Sequence, residues 1–121
     1  MKVLIIDDDS DIRLLAAAFL SRDGMTVLDA ESGEAGVALA GATAPDVILL
    51  DVNMPGLDGL ATLQRLHDRP ATAAIPVVFL TRKPTDDERQ RLLSAGAAGV
   101  LDKPFKPAAL ASAVRDCLVT R

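Results

Sequence analysis

The sequence predicts an α/β domain: a doubly wound, five-stranded parallel sheet with helices on both faces. Three observations lead there. Short apolar, β-branched runs alternate with helical stretches roughly five times along the 121 residues. Successive runs begin about 20–30 residues apart, a spacing that demands crossover connections rather than hairpins. The run Val47–Leu50 has no polar residue at alternate positions, which marks a strand buried on both faces and too short for a helix.

Taken in order, Lys2–Ile6 is a strand that ends in the acidic triplet Asp7-Asp8-Asp9. Ser10 is placed to cap the next helix, with Asp11 in its first turn favouring the positive dipole end. That helix runs to about Arg22 and stops at Gly24. Ile12, Leu15, Ala16 and Phe19 form its inward face. Leu14, Ala17, Ala18 and Ser21 are left on the other face, which is unusually apolar for one meeting solvent.

Met25–Leu28 reads as a second strand and Ser32 to about Gly41 as an Ala-rich helix. Asp46–Leu50 is the third strand and delivers Asp51 at its carboxyl end, where Pro55, Gly56 and Gly59 break the chain into a loop. A helix from about Leu57 to His67 follows, leaving His67 in solvent. Val77–Leu80 is the fourth strand, ending on Thr81. Thr85-Asp86-Asp87-Glu88 is a capping box opening a polar helix that reaches about Ala95. Gly99–Leu101 is a short fifth strand before Asp102-Lys103-Pro104. The last helix starts near Pro107, with Leu110, Val114, Cys117 and Leu118 on one stripe and Cys117 as a small core residue.

Length and composition agree with one domain spanning residues 1–121. Half the residues are hydrophobic and a quarter charged, as in soluble globular domains. No apolar run approaches the roughly 20 residues that cross a bilayer. The N-terminus turns acidic too early for a secretion signal, so a cytoplasmic location is expected. A lone cysteine excludes an internal disulfide and a cysteine metal cage. The net charge of −4 and the absence of Tyr and Trp argue against a nucleic-acid surface.

In an open parallel sheet the carboxyl ends of the strands converge on one edge. Here that edge gathers Asp7, Asp8, Asp51, Thr81 and Lys103. Three carboxylates in one crevice repel unless a cation neutralises them. With no cysteine or histidine near, all-oxygen ligation selects a hard cation, Mg²⁺ above all. Carboxylate, metal, ammonium and hydroxyl together form a constellation for holding a phosphoryl group. A carboxylate can also act as the nucleophile and form an aspartyl phosphate.

Four segments, 3–9 (Val-Leu-Ile-Ile-Asp-Asp-Asp), 51–59 (Asp-Val-Asn-Met-Pro-Gly-Leu-Asp-Gly), 79–81 (Phe-Leu-Thr) and 95–105 (Ala-Gly-Ala-Ala-Gly-Val-Leu-Asp-Lys-Pro-Phe), carry a resemblance. The chain resembles a response-regulator receiver domain, the CheY-like phosphoacceptor module of two-component signalling, from Val3 to about Leu118. The resemblance implies a flavodoxin-like strand order of 2-1-3-4-5. It implies that Asp51 is the phosphoacceptor, that Asp8 ligates Mg²⁺ directly, and that Asp7 acts mainly through water. The backbone carbonyl of Asn53 completes the protein ligands, and Asp51 itself contributes one. Thr81 bonds a phosphoryl oxygen, Lys103 pairs with the phosphoryl charge, and the bond preceding Pro104 is cis. The implied donor is a phosphohistidine on a sensor histidine kinase or a histidine phosphotransfer protein. The implied output is a downstream protein bound through the fourth helix, fifth strand and fifth helix. No direct nucleic-acid or membrane contact is implied. The oligomeric state is a monomer or a weak, phosphorylation-dependent dimer.

Three departures from the family pattern stand out. The position that usually carries an aromatic exchanging with the switch threonine is Val100, so that exchange is replaced by another rearrangement of the fourth helix, or by none. Arg82 and Lys83 follow Thr81 where a small residue is usual. They either shield the phosphoryl group and tune donor access, or simply point to solvent. Leu14, Ala17 and Ala18 on the first helix offer a dry centre for docking the histidine-bearing partner.

The chain is accordingly read as a switch rather than a conventional enzyme, catalysing only its own phosphorylation and slower dephosphorylation. It resembles a stand-alone regulator and equally a receiver belonging to a longer protein. A phosphorelay intermediate without its own output is an alternative. A Mg²⁺-dependent aspartyl-nucleophile phosphatase is a rival, disfavoured because Asn53 occupies the place of its second acid. A flavin module on the same fold is set aside, because three acids at the first strand end repel a bare phosphate.

Overall fold

Strand and helix alternate without interruption in the computed structural model, which describes residues 1–119. The order is β1 (Lys2–Ile6), α1 (Ser10–Arg22), β2 (Thr26–Ala30), α2 (Gly33–Thr43), β3 (Val47–Asp51), α3 (Gly59–His67), β4 (Val77–Arg82), α4 (Asp86–Ser94), β5 (Gly99–Lys103) and α5 (Pro107–Val119). The five strands form one sheet in the order β2-β1-β3-β4-β5. Every neighbouring pair is parallel. The predicted doubly wound architecture and strand order are therefore those observed.

Side chains alternate across each strand, so the sheet has two cores. Leu4, Ile6, Ile48, Leu50, Val77 and Phe79 face Val37 and Ala40 of α2, Leu63 and Leu66 of α3, and Leu92 of α4. Val3, Ile5, Val47, Leu49, Val78 and Leu80 face Ala16 and Leu20 of α1 and Leu110, Val114 and Cys117 of α5. Each fully buried leucine or isoleucine contributes about 1.5–3 kcal/mol of transfer free energy. The central strands, β1, β3 and β4, carry most of them, which holds the strand ends in fixed register.

Several boundaries differ from the sequence reading. Asp9, not Ser10, caps α1: its side chain accepts from the Asp11 amide at 2.9 Å. β2 lies at 26–30 rather than 25–28, because Met25 tucks into the core beneath α1 while Asp29 and Ala30 still pair with β1. β3, β4 and β5 run on to Asp51, Arg82 and Lys103, so the candidate site residues Asp51, Thr81, Arg82 and Lys103 sit within strands rather than after them. α3 begins at Gly59 behind an Asp58 cap, not at Leu57. On α1, Leu20 is fully buried and Leu15 is 41% exposed, since the inward stripe follows Ala16 and Leu20 rather than Leu15. His67 is half-buried rather than solvated; it packs so close to Gly96 that a Cβ there would lie 2.7 Å from the imidazole.

Candidate functional site

The parallel register sets the carboxyl ends of β1 and β3 side by side, with Ile6 opposite Leu50. The next residue on each chain is an aspartate, Asp7 and Asp51, and both are buried. β4 follows on the far side of β3, with Leu80 opposite Asp51, so Thr81 lies one step beyond that pairing. β5 closes the edge with Asp102 opposite Thr81 and Lys103 opposite Arg82. The strand order thus converts five remote sequence positions into one edge.

Gly59 lets α3 start against that edge. A Cβ at Gly59 would lie 2.5 Å from the carbonyl oxygen of Asp51 and 2.7 Å from Cα of Val52, so only glycine permits this approach.

Lys103 reaches over the end of β4 to the acids. Its Nζ donates to Asp7 Oδ2 at 2.7 Å and lies 3.1 Å from Asp51 Oδ1. The Asn53 amide also donates to Asp51 Oδ1, at 3.3 Å. The Asp9 amide donates to Asp7 Oδ1 at 2.9 Å, folding the acidic triplet back onto the strand end. Arg13, on the second turn of α1, donates through Nη1 to the Asp7 carbonyl at 2.7 Å and through Nε to Asp29 at 2.9 Å. This tie between α1, β1 and β2 was not apparent in the sequence, where Arg13 reads as one more helix charge.

Burial pushes the Asp51 carboxyl up from 3.8 to about 6, reinforced by the neighbouring Asp7 charge and opposed by Lys103 and the Asn53 amide. Carboxylate oxygens of Asp7, Asp8 and Asp51 all lie within 4.8 Å of one another. One ammonium cannot neutralise three carboxylates, and an all-oxygen donor set of this size suits a hard divalent cation. The residues present fit such an ion.

A cleft of about 240 Å³ opens over these groups, lined by Asp7, Asp8, Asp9, Asp51, Asn53, Arg82 and Lys103. Arg82 is thus brought to the cleft, whereas Lys83 is exposed with a left-handed φ of +43° and does not line it. Thr81 is buried beside the cleft, and its hydroxyl donates to Glu88 Oε1 of α4 at 3.1 Å. The bond between Lys103 and Pro104 is cis. Val100 is half-buried and packs against the α2–α3–α4 core.

Away from the cleft, Leu14 is 73% exposed. With Ala17, Ser10, Asp11, Arg13, Val27 and Asp29 it borders a groove between α1 and β2; Ala18 does not line it.

Residues 3–115 match the family described as "Response regulator receiver domain". The chain belongs to that family. Its likeness to "Protein PilH" of Pseudomonas aeruginosa is 39% identity over 103 residues, 85% of each chain. To "Response regulator PleD" of Caulobacter vibrioides it is 38% identical over 115 residues, 94% of this chain and only 25% of that protein. The receiver therefore spans about a quarter of the length of PleD. Among solved structures, chemotaxis protein CheY4 of Vibrio cholerae superposes with a TM-score of 0.90 at 31% identity, covering 96% of this chain and 97% of that one. The receiver domain of NtrX from Brucella abortus gives 0.91 at 30%, covering 98% and 99%.

Receiver domains are signalling phosphoacceptors that meet histidine kinases or phosphotransfer proteins and downstream targets. In this receiver, no helix among the described residues is long and apolar enough to cross a membrane.

Proposed function

We propose that the protein accepts a phosphoryl group onto Asp51 from a phosphohistidine and thereby changes which partner it binds. The single observation that carries this reading is the placement of Asp51: buried at a strand end, 3.1 Å from the Lys103 ammonium, and within 4.8 Å of two further carboxylates. A merely structural acid has no use for two further carboxylates so near when one ammonium is shared among them.

In the reaction an Asp51 oxygen attacks phosphorus as the bond to the donor imidazole nitrogen breaks, and the electron pair leaves with the histidine. An Asp51 carboxyl held near pH 6 is mostly ionised at neutral pH, so the nucleophile is ready. Lys103 balances the charge gathering on the phosphoryl oxygens, and Thr81 turns its hydroxyl from Glu88 to donate to one of them. Asp7, Asp8, Asp51 and the Asn53 carbonyl would hold Mg²⁺, which neutralises phosphoryl charge when bound. Arg82 overhangs the cleft and limits the approach of water, which sets the lifetime of the aspartyl phosphate. Pro104 fixes the chain directly after Lys103.

The partner surfaces follow from the same reading. Leu14 and Ala17 supply the dry centre for the histidine-bearing partner, with Ala18 at its margin. The α4–β5–α5 face presents the output. The protein is a switch and not a conventional enzyme, and its place is the cytoplasm, where kinase and target reside. It acts as a monomer or a weak dimer formed on phosphorylation.

The test is intact mass after incubation with acetyl phosphate and Mg²⁺. One phosphoryl adduct is expected on the wild type, absent in Asp51→Asn and absent with EDTA. An adduct that persists in Asp51→Asn would move the acceptor elsewhere and end this reading.

A further inference from the structure

Thr85 and Glu88 have the spacing of a capping box, and half of that box is formed. The Thr85 hydroxyl accepts from the Glu88 amide at 3.1 Å. The reciprocal bond would run from the Thr85 amide to the Glu88 carboxylate. That carboxylate is instead turned to Thr81, whose hydroxyl donates to it at 3.1 Å. A carboxylate only accepts, so the one hydroxyl hydrogen of Thr81 is committed toward α4 and away from Asp51. The next residue, Arg89, donates through Nη1 to the Val100 carbonyl at 3.3 Å and through Nη2 to Asp102 at 2.8 Å. Consecutive residues of a single helical turn therefore grip the ends of β4 and β5.

We infer that Glu88 is a positioning residue for the phosphoacceptor: it holds the Thr81 hydroxyl in the unphosphorylated arrangement and competes with a phosphoryl group on Asp51 for the same hydrogen. The inference rests on the proposed function. When a phosphoryl oxygen takes that hydrogen, Glu88 loses its donor, and the Thr85 amide three residues back is the donor its helical position offers. The box then closes, and the first turn of α4 shifts with Arg89 and its hold on β5. One carboxylate with two alternative donors is a two-state element, and it needs no aromatic ring where Val100 stands.

Beryllofluoride with Mg²⁺, a stand-in for the phosphoryl group, tests this on the full chain by amide NMR, with urea unfolding as a check on stability. Glu88→Ala should bind beryllofluoride about three- to tenfold more tightly than wild type, since the competing charged hydrogen bond is gone. Its Thr85 amide should no longer respond. Glu88→Gln keeps an acceptor oxygen and should restore the Thr85 response, with affinity between the other two. Equal affinity in wild type and Glu88→Ala, with or without a fall in stability, would overturn the inference and leave Glu88 as a helix residue only. A wild type that takes up neither beryllofluoride nor acetyl phosphate would instead remove the phosphoacceptor reading beneath it, so the two failures are told apart.

Discussion

Lys103 and Asp7 stand 96 residues apart in the chain, and their charged ends meet at 2.7 Å. The same ammonium lies 3.1 Å from Asp51, so one cation on the edge strand serves the buried acids of two central strands. With Asp7 fully buried and the Lys103 side chain 8% exposed, water does little to replace that contact. Removing the cation should be felt in both stability and chemistry. Lys103→Met is expected to cost on the order of 3 kcal/mol in metal-free urea unfolding at pH 7, because it strands buried charge. The same variant should yield no aspartyl phosphate by intact mass. Wild-type stability in this variant would show that the pair is not holding the edge together.

The raised Asp51 carboxyl predicts a pH dependence with a definite sign. The folded protein holds this proton more tightly than the unfolded chain, so ionising Asp51 costs folding stability. That cost is absent below about pH 3.8, grows as pH rises toward about 6, and is full above it. A shift of this size corresponds to about 3 kcal/mol. Asp51→Asn keeps the shape without the charge. In EDTA it should be more stable than wild type by roughly 2–3 kcal/mol at pH 7.5, with the advantage gone near pH 4. An advantage that does not vary with pH would mean that Asp51 is not the titrating group.

Leu14 has few neighbours of its own to lose, being 73% exposed on α1. Leu14→Arg should leave stability within about 0.5 kcal/mol of wild type. It should slow transfer from a cognate histidine donor at least tenfold while sparing phosphorylation by acetyl phosphate. Parallel losses with both donors would refute docking at this face.

Arg82 is exposed, yet it lines the cleft over Asp51. Arg82→Ala should hasten hydrolysis of the aspartyl phosphate severalfold, followed as decay of the adduct mass. Unchanged phosphorylation and decay rates would assign Arg82 to solvent alone.

Strand number, connection type and the residues at each strand end were legible because they are written in local signals: β-branched runs, breakers and acids at the run ends. What stayed hidden depends on neighbours distant in sequence. β2 is an edge strand whose exposed Thr26 and Asp29 blur any alternation, so its start slipped by one residue and its end by two. Leu15 and Leu20 both fit a helical stripe, and only the position of α1 on the sheet selects Leu20. Thr85 and Glu88 were read as a closed box, because nothing local reveals that Thr81 claims the glutamate. Arg13 and Arg89 look like ordinary helix charges until the fold brings Asp7 and Asp102 to them.

The reach of Lys103 from the last strand has a consequence for how the protein comes into being. Asp7, Asp51 and Lys103 are translated in that order, with Lys103 added 96 residues after Asp7. Without residue 103 the two acids have no ammonium between them, and Asp51 is then held more firmly in its protonated, non-nucleophilic form. Asp51 thus gains its charge partner only when nearly the whole chain has been made.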